Sequence, residues 1–349
     1  MIYEKLSGTD IEVSKTCLGT MSFGAHVSEE ASFKIMDRSL ELGINFFDTA
    51  ELYSVPASKE TYGLTEQIIG RWFKKRNSRD KIVLATKVCG PSRSSNDNYI
   101  REGKSRLDRK NIRLALEASI KRLQTDHVDL YQIHWPDRNV NSFGIRNYNP
   151  TDDSHTIPIE ETMKVMQELQ KEGKIKHYGL SNETPWGTME YLRLSKELGL
   201  PRPVSIQNNY SLLTRSYENS MAEISHRENI GLLAYSPLGF GVLGGRYLNG
   251  GKPEGGRFTK YPDFAQRYHT KQVEEIIRKY KTLAEENGMT LPELALAFVY
   301  EQFFLTSNII GPSNVSQLEE DVKALEKKLT PEIKEKIEMI HEECPNICP

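Results

Sequence analysis

Eight short apolar or β-branched runs, each followed by a longer amphipathic stretch, with no proline-rich linker anywhere in 349 residues, predict a closed (β/α)8 barrel. The fold class is α/β, a TIM barrel with an N-terminal hairpin cap and extra helices, built as one domain over residues 1–349. Length permits this, because roughly 150 residues per domain gives about two domains or one large barrel. A pair of doubly wound, Rossmann-type domains is the second reading of the same alternation.

Strands are expected at 15–19, 45–48, 82–87, 128–134, 176–181, 204–207, 231–235 and 308–310, where apolar and β-branched residues cluster in short runs. Helices are expected at 29–42, 64–75, 110–123, 159–172, 186–198, 220–228, 271–287 and 316–325, where apolar residues recur at helical spacing. Gly43, Gly173 and Gly199 follow three of these helices, where a left-handed residue commonly ends a helix. Two further helices, 291–302 and 331–343, decorate the barrel, and extended segments at 2–6 and 12–13 plug its bottom. The connections 89–109, 135–158 and 238–270 are much longer than ordinary βα loops. All three follow strands, so they are expected to wall the C-terminal face, where barrel active sites are built.

Composition narrows the function classes. Lysine plus arginine is 46 against 48 aspartate plus glutamate, a net charge of −2, which offers no footprint for a nucleic acid. Hydrophobic content of 38% with 27% charged residues is that of a globular chain. The longest clean apolar stretch, 294–300, falls far short of the ~20 residues of a membrane span. Met1 is followed by a polar segment with no apolar signal core, so a cytoplasmic location is expected, with reduced thiols at Cys17, Cys89, Cys344 and Cys348. His341 with Cys344 and Cys348 lacks the fourth ligand of a zinc site, and no metal is expected.

Four polar residues fall at or just beyond strand ends on one face. Asp48 closes the run Ile44-Asn45-Phe46-Phe47, Lys87 closes Ile82-Val83-Leu84-Ala85-Thr86, and His134 closes the run from Val128; Tyr53 follows Asp48 closely. A lysine and a carboxylate at the mouths of adjacent buried strands are costly apart and stable as a pair. A tyrosine hydroxyl beside that lysine is expected to have its pKa drawn down from about 10, which suits a general acid near neutral pH. His134 is placed to donate a hydrogen bond to an oxygen that gains charge, as in carbonyl reduction.

The segment from Leu42 to Tyr53, with Ala85-Thr86-Lys87, Asp129-Leu130-Tyr131-Gln132-Ile133-His134, Gly179-Leu180-Ser181-Asn182, Gln207-Asn208-Asn209-Tyr210 and Ala234-Tyr235-Ser236-Pro237-Leu238, resembles the aldo-keto reductases along the whole chain. Within the family it is most similar to the bacterial Tas-type branch, related to potassium-channel β-subunits. The resemblance implies Tyr53 as proton donor, Lys87 as its pKa modifier, Asp48 as the partner of Lys87 and His134 orienting the carbonyl. The implied reaction is hydride transfer from NADPH to a small-molecule aldehyde or ketone.

The resemblance also implies a cofactor site. Ser181, Asn182 and Gln207 meet the nicotinamide carboxamide, Tyr235 stacks on its ring, and Ser236, Pro237 and Leu238 continue the same wall. Gly19, Thr20, Met21 and Asp48 line the site from the first two strands. The segment Gly239-Phe240-Gly241-Val242-Leu243-Gly244 matches G-x-G-x-x-G, yet no helix packed on a sheet follows it, so it reads as a loop over the pyrophosphate, with Gly241 approaching phosphate closely. Arg246 and Arg257 flank it as phosphate contacts, Arg257 being the candidate for the 2′-phosphate. Gly311, Ser313, Gln317, Glu320 and Asp321 match the adenosine-phosphate segment, where many relatives carry arginine at the position of Gln317. The resemblance implies NADPH in preference to NADH. Trp135, Phe23 and Phe240 are candidates for an apolar substrate wall. No nucleic acid, membrane or obligatory protein partner is implied. The rival readings are an NADPH-binding regulatory sensor and a barrel hydrolase or isomerase that uses Asp48 and His134.

Overall fold

The computed structural model describes residues 1–92, 99–141, 144–145 and 147–348. An antiparallel hairpin of β1 (Tyr3–Lys5) and β2 (Glu12–Ser14) opens the chain. Eight parallel strands then close into a barrel: β3 (Thr16–Gly19), β4 (Phe46–Asp48), β5 (Val83–Val88), β6 (Val128–Ile133), β7 (Ile175–Ser181), β8 (Ser205–Asn209), β9 (Gly231–Tyr235) and β10 (Leu305–Ile310). They pair in chain order, and β10 returns to β3. The (β/α)8 barrel is therefore the architecture, and the doubly wound alternative is set aside.

The surrounding helices are α1 (Glu29–Glu41), α2 (Leu64–Arg76), α3 (Arg109–Leu123), α4 (Ile159–Lys171), α5 (Pro185–Leu198), α6 (Tyr217–Glu228), the short α7 (Arg257–Lys260), α8 (Lys271–Glu286), α9 (Leu291–Tyr300), α10 (Val315–Lys323) and α11 (Pro331–Glu343). Their starts are written in the sequence. Ser28, Asp108, Thr184, Thr270, Asn314 and Thr330 each accept a backbone N–H from the first turn of the helix that follows, and Thr290 forms a reciprocal capping box with Glu293. Gly43, Gly173 and Gly199 have φ of 83°, 70° and 65°, the left-handed conformation that ends a helix without a Cβ clash. The largest departures from the expected bounds are three residues, with β10 beginning at Leu305 rather than 308 and α6 at Tyr217 rather than 220, while other ends shift by one or two. No helix among the described residues is long and apolar enough to cross a membrane.

Strand alternation sorts side chains between two cores. Cys17, Phe46, Ala85, Leu130, Leu233 and Ile309 point into the barrel, where Leu6 and Val13 of the hairpin join them. Their chain neighbours Leu18, Phe47, Leu84 and Tyr131 face the helices. The hairpin closes the end where strands start: Ser14 N–H donates to Asn45 Oδ1 at 2.7 Å and Gly231 N–H to Ser7 Oγ at 3.1 Å. That leaves the opposite, C-terminal end open for a site.

Candidate active site

Counting two residues on from the inward-facing Phe46, Ala85, Leu130 and Leu233 reaches Asp48, Lys87, Gln132 and Tyr235. The period of two that fills the barrel with apolar side chains thus also aims these polar ones into its mouth. Lys87 is fully buried, with its Nζ donating to Asp48 Oδ2 at 2.5 Å, to the Thr49 carbonyl at 2.8 Å and to the Tyr53 hydroxyl at 3.4 Å. The other carboxylate oxygen, Asp48 Oδ1, accepts from the amides of Gln132 at 2.9 Å and Gln207 at 2.8 Å. Both oxygens of the buried carboxylate are thereby hydrogen-bonded, which is the condition under which a buried ion pair is stable. Burial works against the Lys87 ammonium, but Asp48 and the Tyr53 hydroxyl outweigh it and hold its pKa above the ordinary value.

Tyr53 lies over this pair, with Lys87 Nζ 4.8 Å from its ring centroid and the His134 ring edge-on at 5.7 Å. Its pKa is raised: burial penalises the phenolate by more than the nearby Lys87 charge favours it. The expectation that Lys87 draws the hydroxyl below 10 is therefore corrected, because that expectation weighed the charge and not the loss of water. His134 follows β6, its amide bound to the Val88 carbonyl at 2.9 Å, so β5 fixes its backbone directly.

Above these residues opens a cleft of about 1230 Å³, lined by Asp48, Tyr53 and His134 but not by Lys87, which lies beneath them. The structure brings every cofactor candidate to this one cleft. Gly19, Thr20 and Met21 come from the end of β3, Ser181 and Asn182 from β7, Gln207 from β8, and Tyr235, Ser236, Pro237 and Leu238 from β9. Gly241, Arg246 and Arg257 come from the connection after β9, and Gly311, Ser313, Gln317, Glu320 and Asp321 from the end of β10 and α10. Asn182 sits in the left-handed region at φ 51°, its amide donating to the His134 carbonyl at 2.8 Å and its Oδ1 accepting from the Tyr235 hydroxyl at 2.7 Å. These bonds hold the Tyr235 ring in place. The glycine-rich segment is a 3-10 turn over Gly239–Gly244, with Phe240 and Gly241 at φ 56° and 102°, and no Rossmann helix follows it.

Arg257 packs against Phe240 and Phe264, its guanidinium 5.5 and 5.9 Å from their ring centroids. Burial lowers its pKa, and the hydroxyls of Tyr247, Tyr53 and Tyr261 oppose that, so its charge is felt at the Tyr53 end of the cleft. At the far end, burial and then Glu320 push the Asp321 carboxyl up to about 8. Gln317 is occupied locally, with its Oε1 accepting from Ser313 N–H at 2.9 Å.

Three features escaped the sequence. Gln132, an Asp48 partner, was readable from its position two residues before His134 in an inward-facing register. His26 lines the cleft from the segment after β3; Lys260 Nζ donates to the neighbouring Ala25 carbonyl at 2.8 Å, so the connection after β9 closes across the cleft. Met289, Thr290, Leu291 and Pro292 also line it, because a helix leading into a parallel strand starts at the barrel's C-terminal end. Two expectations need correction. Phe23 is fully buried in the core between barrel and helices and does not wall the cleft, whereas Trp135 and Phe240 do. The connection 89–109 contributes no cleft-lining residue among those described, while that after β9 supplies many.

Comparison with known proteins agrees with this geometry. Residues 15–342 match the aldo/keto reductase family. The chain is 45% identical over 342 residues to the protein tas of Escherichia coli, covering 98% of both chains. It is 37% identical over 336 residues to the uncharacterized oxidoreductase YrpG of Bacillus subtilis, covering 95% of this chain and 94% of that one. A probable voltage-gated potassium channel subunit beta of Oryza sativa is 29% identical over 354 residues, covering 99% and 98%. The chain therefore belongs to the aldo/keto reductase family, and with it to the NADP-dependent oxidoreductases.

Proposed function

We propose that the protein reduces a small aldehyde or ketone at the expense of NADPH, with Tyr53 as the general acid. The observation that carries this reading is the buried Asp48–Lys87 pair with the Tyr53 hydroxyl 3.4 Å from the ammonium at the floor of a cleft. The cleft fits a dinucleotide by the chemistry of its walls. One end offers Ser181, Asn182 and Gln207 to a carboxamide and Tyr235 to an aromatic ring; the middle offers a turn of left-handed glycine-rich backbone with Arg246 and Arg257 beside it; the other end offers Gly311, Ser313, Gln317, Glu320 and Asp321.

When bound, NADPH supplies the hydride. Tyr53 holds its proton at neutral pH, because burial keeps the hydroxyl neutral, and releases it to the carbonyl oxygen as that oxygen becomes an alkoxide. Lys87 stabilises the phenolate left behind, and Asp48 keeps Lys87 charged before and after the transfer. His134, edge-on to Tyr53, orients the same oxygen. Trp135 and Phe240 exclude water from the reacting end.

The test is fluorescence titration of the protein with NADPH and NADH, then reduced-nicotinamide absorbance while a panel of aldehydes is added. Tight NADPH binding with aldehyde-dependent oxidation, lowered at least ~10²-fold in Tyr53→Phe, is the expected result. Binding without turnover across the panel favours a sensor, and no binding of either nucleotide overturns both readings.

A further inference from the structure

The connection after β5 was expected to wall the cleft, and it does something else. Arg101 lies in its 3-10 turn (Ile100–Gly103), and it sends its guanidinium inward to Glu51 instead of outward to solvent. Glu51 is fully buried and stands two residues before Tyr53. Its Oε2 accepts from Arg101 Nη1 at 2.6 Å and from the Tyr62 hydroxyl at 2.6 Å, while its Oε1 accepts from the Cys89 amide at 2.7 Å.

That last bond carries the consequence. Cys89 is two residues after Lys87, and the Glu51 amide itself donates to the Lys87 carbonyl at 3.3 Å. Glu51 therefore fastens the segment carrying Tyr53 to the end of β5 at two points that flank Val88. Further links fasten the same segment to β5: the Thr49 amide donates to the Ala85 carbonyl at 2.9 Å, and Lys87 Nζ reaches the Thr49 carbonyl at 2.8 Å from inside the barrel. The Tyr53–Lys87 separation is set by this stitching together with the Lys87–Asp48 ion pair at 2.5 Å, which holds the ammonium end.

Arg101 completes the stitch. Its Nε donates to Asn111 Oδ1 at 3.0 Å at the start of α3, and its Nη2 to the Cys89 carbonyl at 3.3 Å, so one guanidinium joins α3, the end of β5 and Glu51. Arg101 and Glu102 both adopt the left-handed region, at φ 46° and 58°, which non-glycine residues rarely accept. A backbone held there has to be over-determined by its surroundings, and the buried Arg101–Glu51 pair with the fully buried Ile100 beside it supplies that.

We propose that Arg101 is a positioning residue for the acid: through Glu51 it holds the Tyr53 segment against β5 and so fixes the Tyr53–Lys87 separation. This rests on Tyr53 being the proton donor, but the clamp itself can be tested without turnover. The full chain is prepared as Arg101→Met, Arg101→Lys and Glu51→Gln. Hydrogen exchange at the Glu51 and Cys89 amides, the NADPH Kd, and kcat and KM for an aromatic aldehyde are measured beside thermal unfolding.

Arg101→Met is expected to raise exchange at Glu51 and Cys89 about 10-fold or more while amides of β9 stay as they were. It lowers kcat by about 10-fold or more with the NADPH Kd within about twofold, because misplacing a reacting group costs rate rather than binding. Arg101→Lys restores part of both, and Glu51→Gln, which keeps the shape and removes the charge, reproduces the loss if Arg101→Met fails to fold. Unchanged exchange at both amides overturns the proposal, and so does raised exchange with unchanged kcat. A parent protein that binds NADPH but oxidises none of it when aldehyde is added overturns the reductase reading, while the exchange data alone then judge the clamp.

Discussion

Lys87 and Asp48 form an ion pair at 2.5 Å with neither side chain appreciably exposed, and the carboxylate is at the same time the acceptor for two glutamine amides. Asp48→Asn keeps the outline of this group and breaks its logic. The new amide carries donors on one side, so either Lys87 or the Gln132 and Gln207 amides must face a donor. Removing one member of a buried pair costs about 3–5 kcal/mol, and this substitution is expected to lower thermal stability by that order. Carbonyl reduction falls at least ~10²-fold, because Lys87 loses the charge that stabilises the phenolate. Adding Lys87→Met to Asp48→Asn is expected to cost less than the sum of the two, which unfolding measurements on the single and double variants check.

The pH dependence of reduction follows from the raised Tyr53 pKa. The acid must carry its proton, and burial holds that proton beyond the ordinary value of about 10. The rate kcat/KM is therefore expected to show no Tyr53 limb between about pH 6 and 9 and to fall only in the alkaline range. A falling limb near neutral pH that disappears in Tyr53→Phe is the opposite outcome, and it would mean that bound cofactor reverses the balance between burial and the Lys87 charge.

How much of this was legible in the sequence depends on which force set each feature. Strand order, the hairpin plug and the meeting of Asp48, Lys87 and Tyr53 follow from periodicity and from runs that end in a charge, and these were readable. The sign of the Tyr53 shift was not, because it is a contest between desolvation and a nearby ammonium that only the packed site decides. Phe23 was misplaced for a related reason. An aromatic residue near a strand end can face the cleft or the helix layer, and the turn after β3 sends this one into the core. The role of Arg101 was hidden by its position in a long connection, since nothing local marks a guanidinium that reaches 50 residues back to Glu51.

Arg257 offers a test of which phosphate the cleft wall meets. The resemblance to relatives assigns it to the 2′-phosphate, yet its guanidinium rests against the Phe240 and Phe264 rings, whereas the carboxyl at the far end, Asp321, is raised by burial and then by Glu320. An arginine beside the glycine-rich turn in the middle of the cleft meets a part of the cofactor that NADPH and NADH share. Arg257→Ala is expected to weaken both nucleotides by about the same factor, of order 10-fold, leaving the ratio of their dissociation constants unchanged. Fluorescence titration with each nucleotide decides it. A loss confined to NADPH would place the 2′-phosphate beside Arg257 after all.

Asp321 links the far end of the cleft to pH. Its folded-state pKa of about 8 lies above the ordinary carboxylate value, so between about pH 4 and 8 the native protein holds a proton that the unfolded chain has released. The unfolded state then binds fewer protons than the native state, and stability falls as pH rises through that window, by at most ~1.4 kcal/mol per pH unit. Above about pH 8 both states are ionised and the slope ends. Asp321→Asn removes the titration while keeping the shape, so from pH 5 to 8 the parent is expected to lose up to ~4 kcal/mol relative to the variant in denaturant unfolding. The same proton bears on the cofactor. A neutral Asp321 tolerates a nearby phosphate and an ionised one repels it, so the NADPH Kd of the parent is expected to rise above about pH 8 while that of Asp321→Asn stays level. Parallel stability slopes in the two proteins would show that Asp321 is ionised throughout and that a neighbouring group compensates its burial.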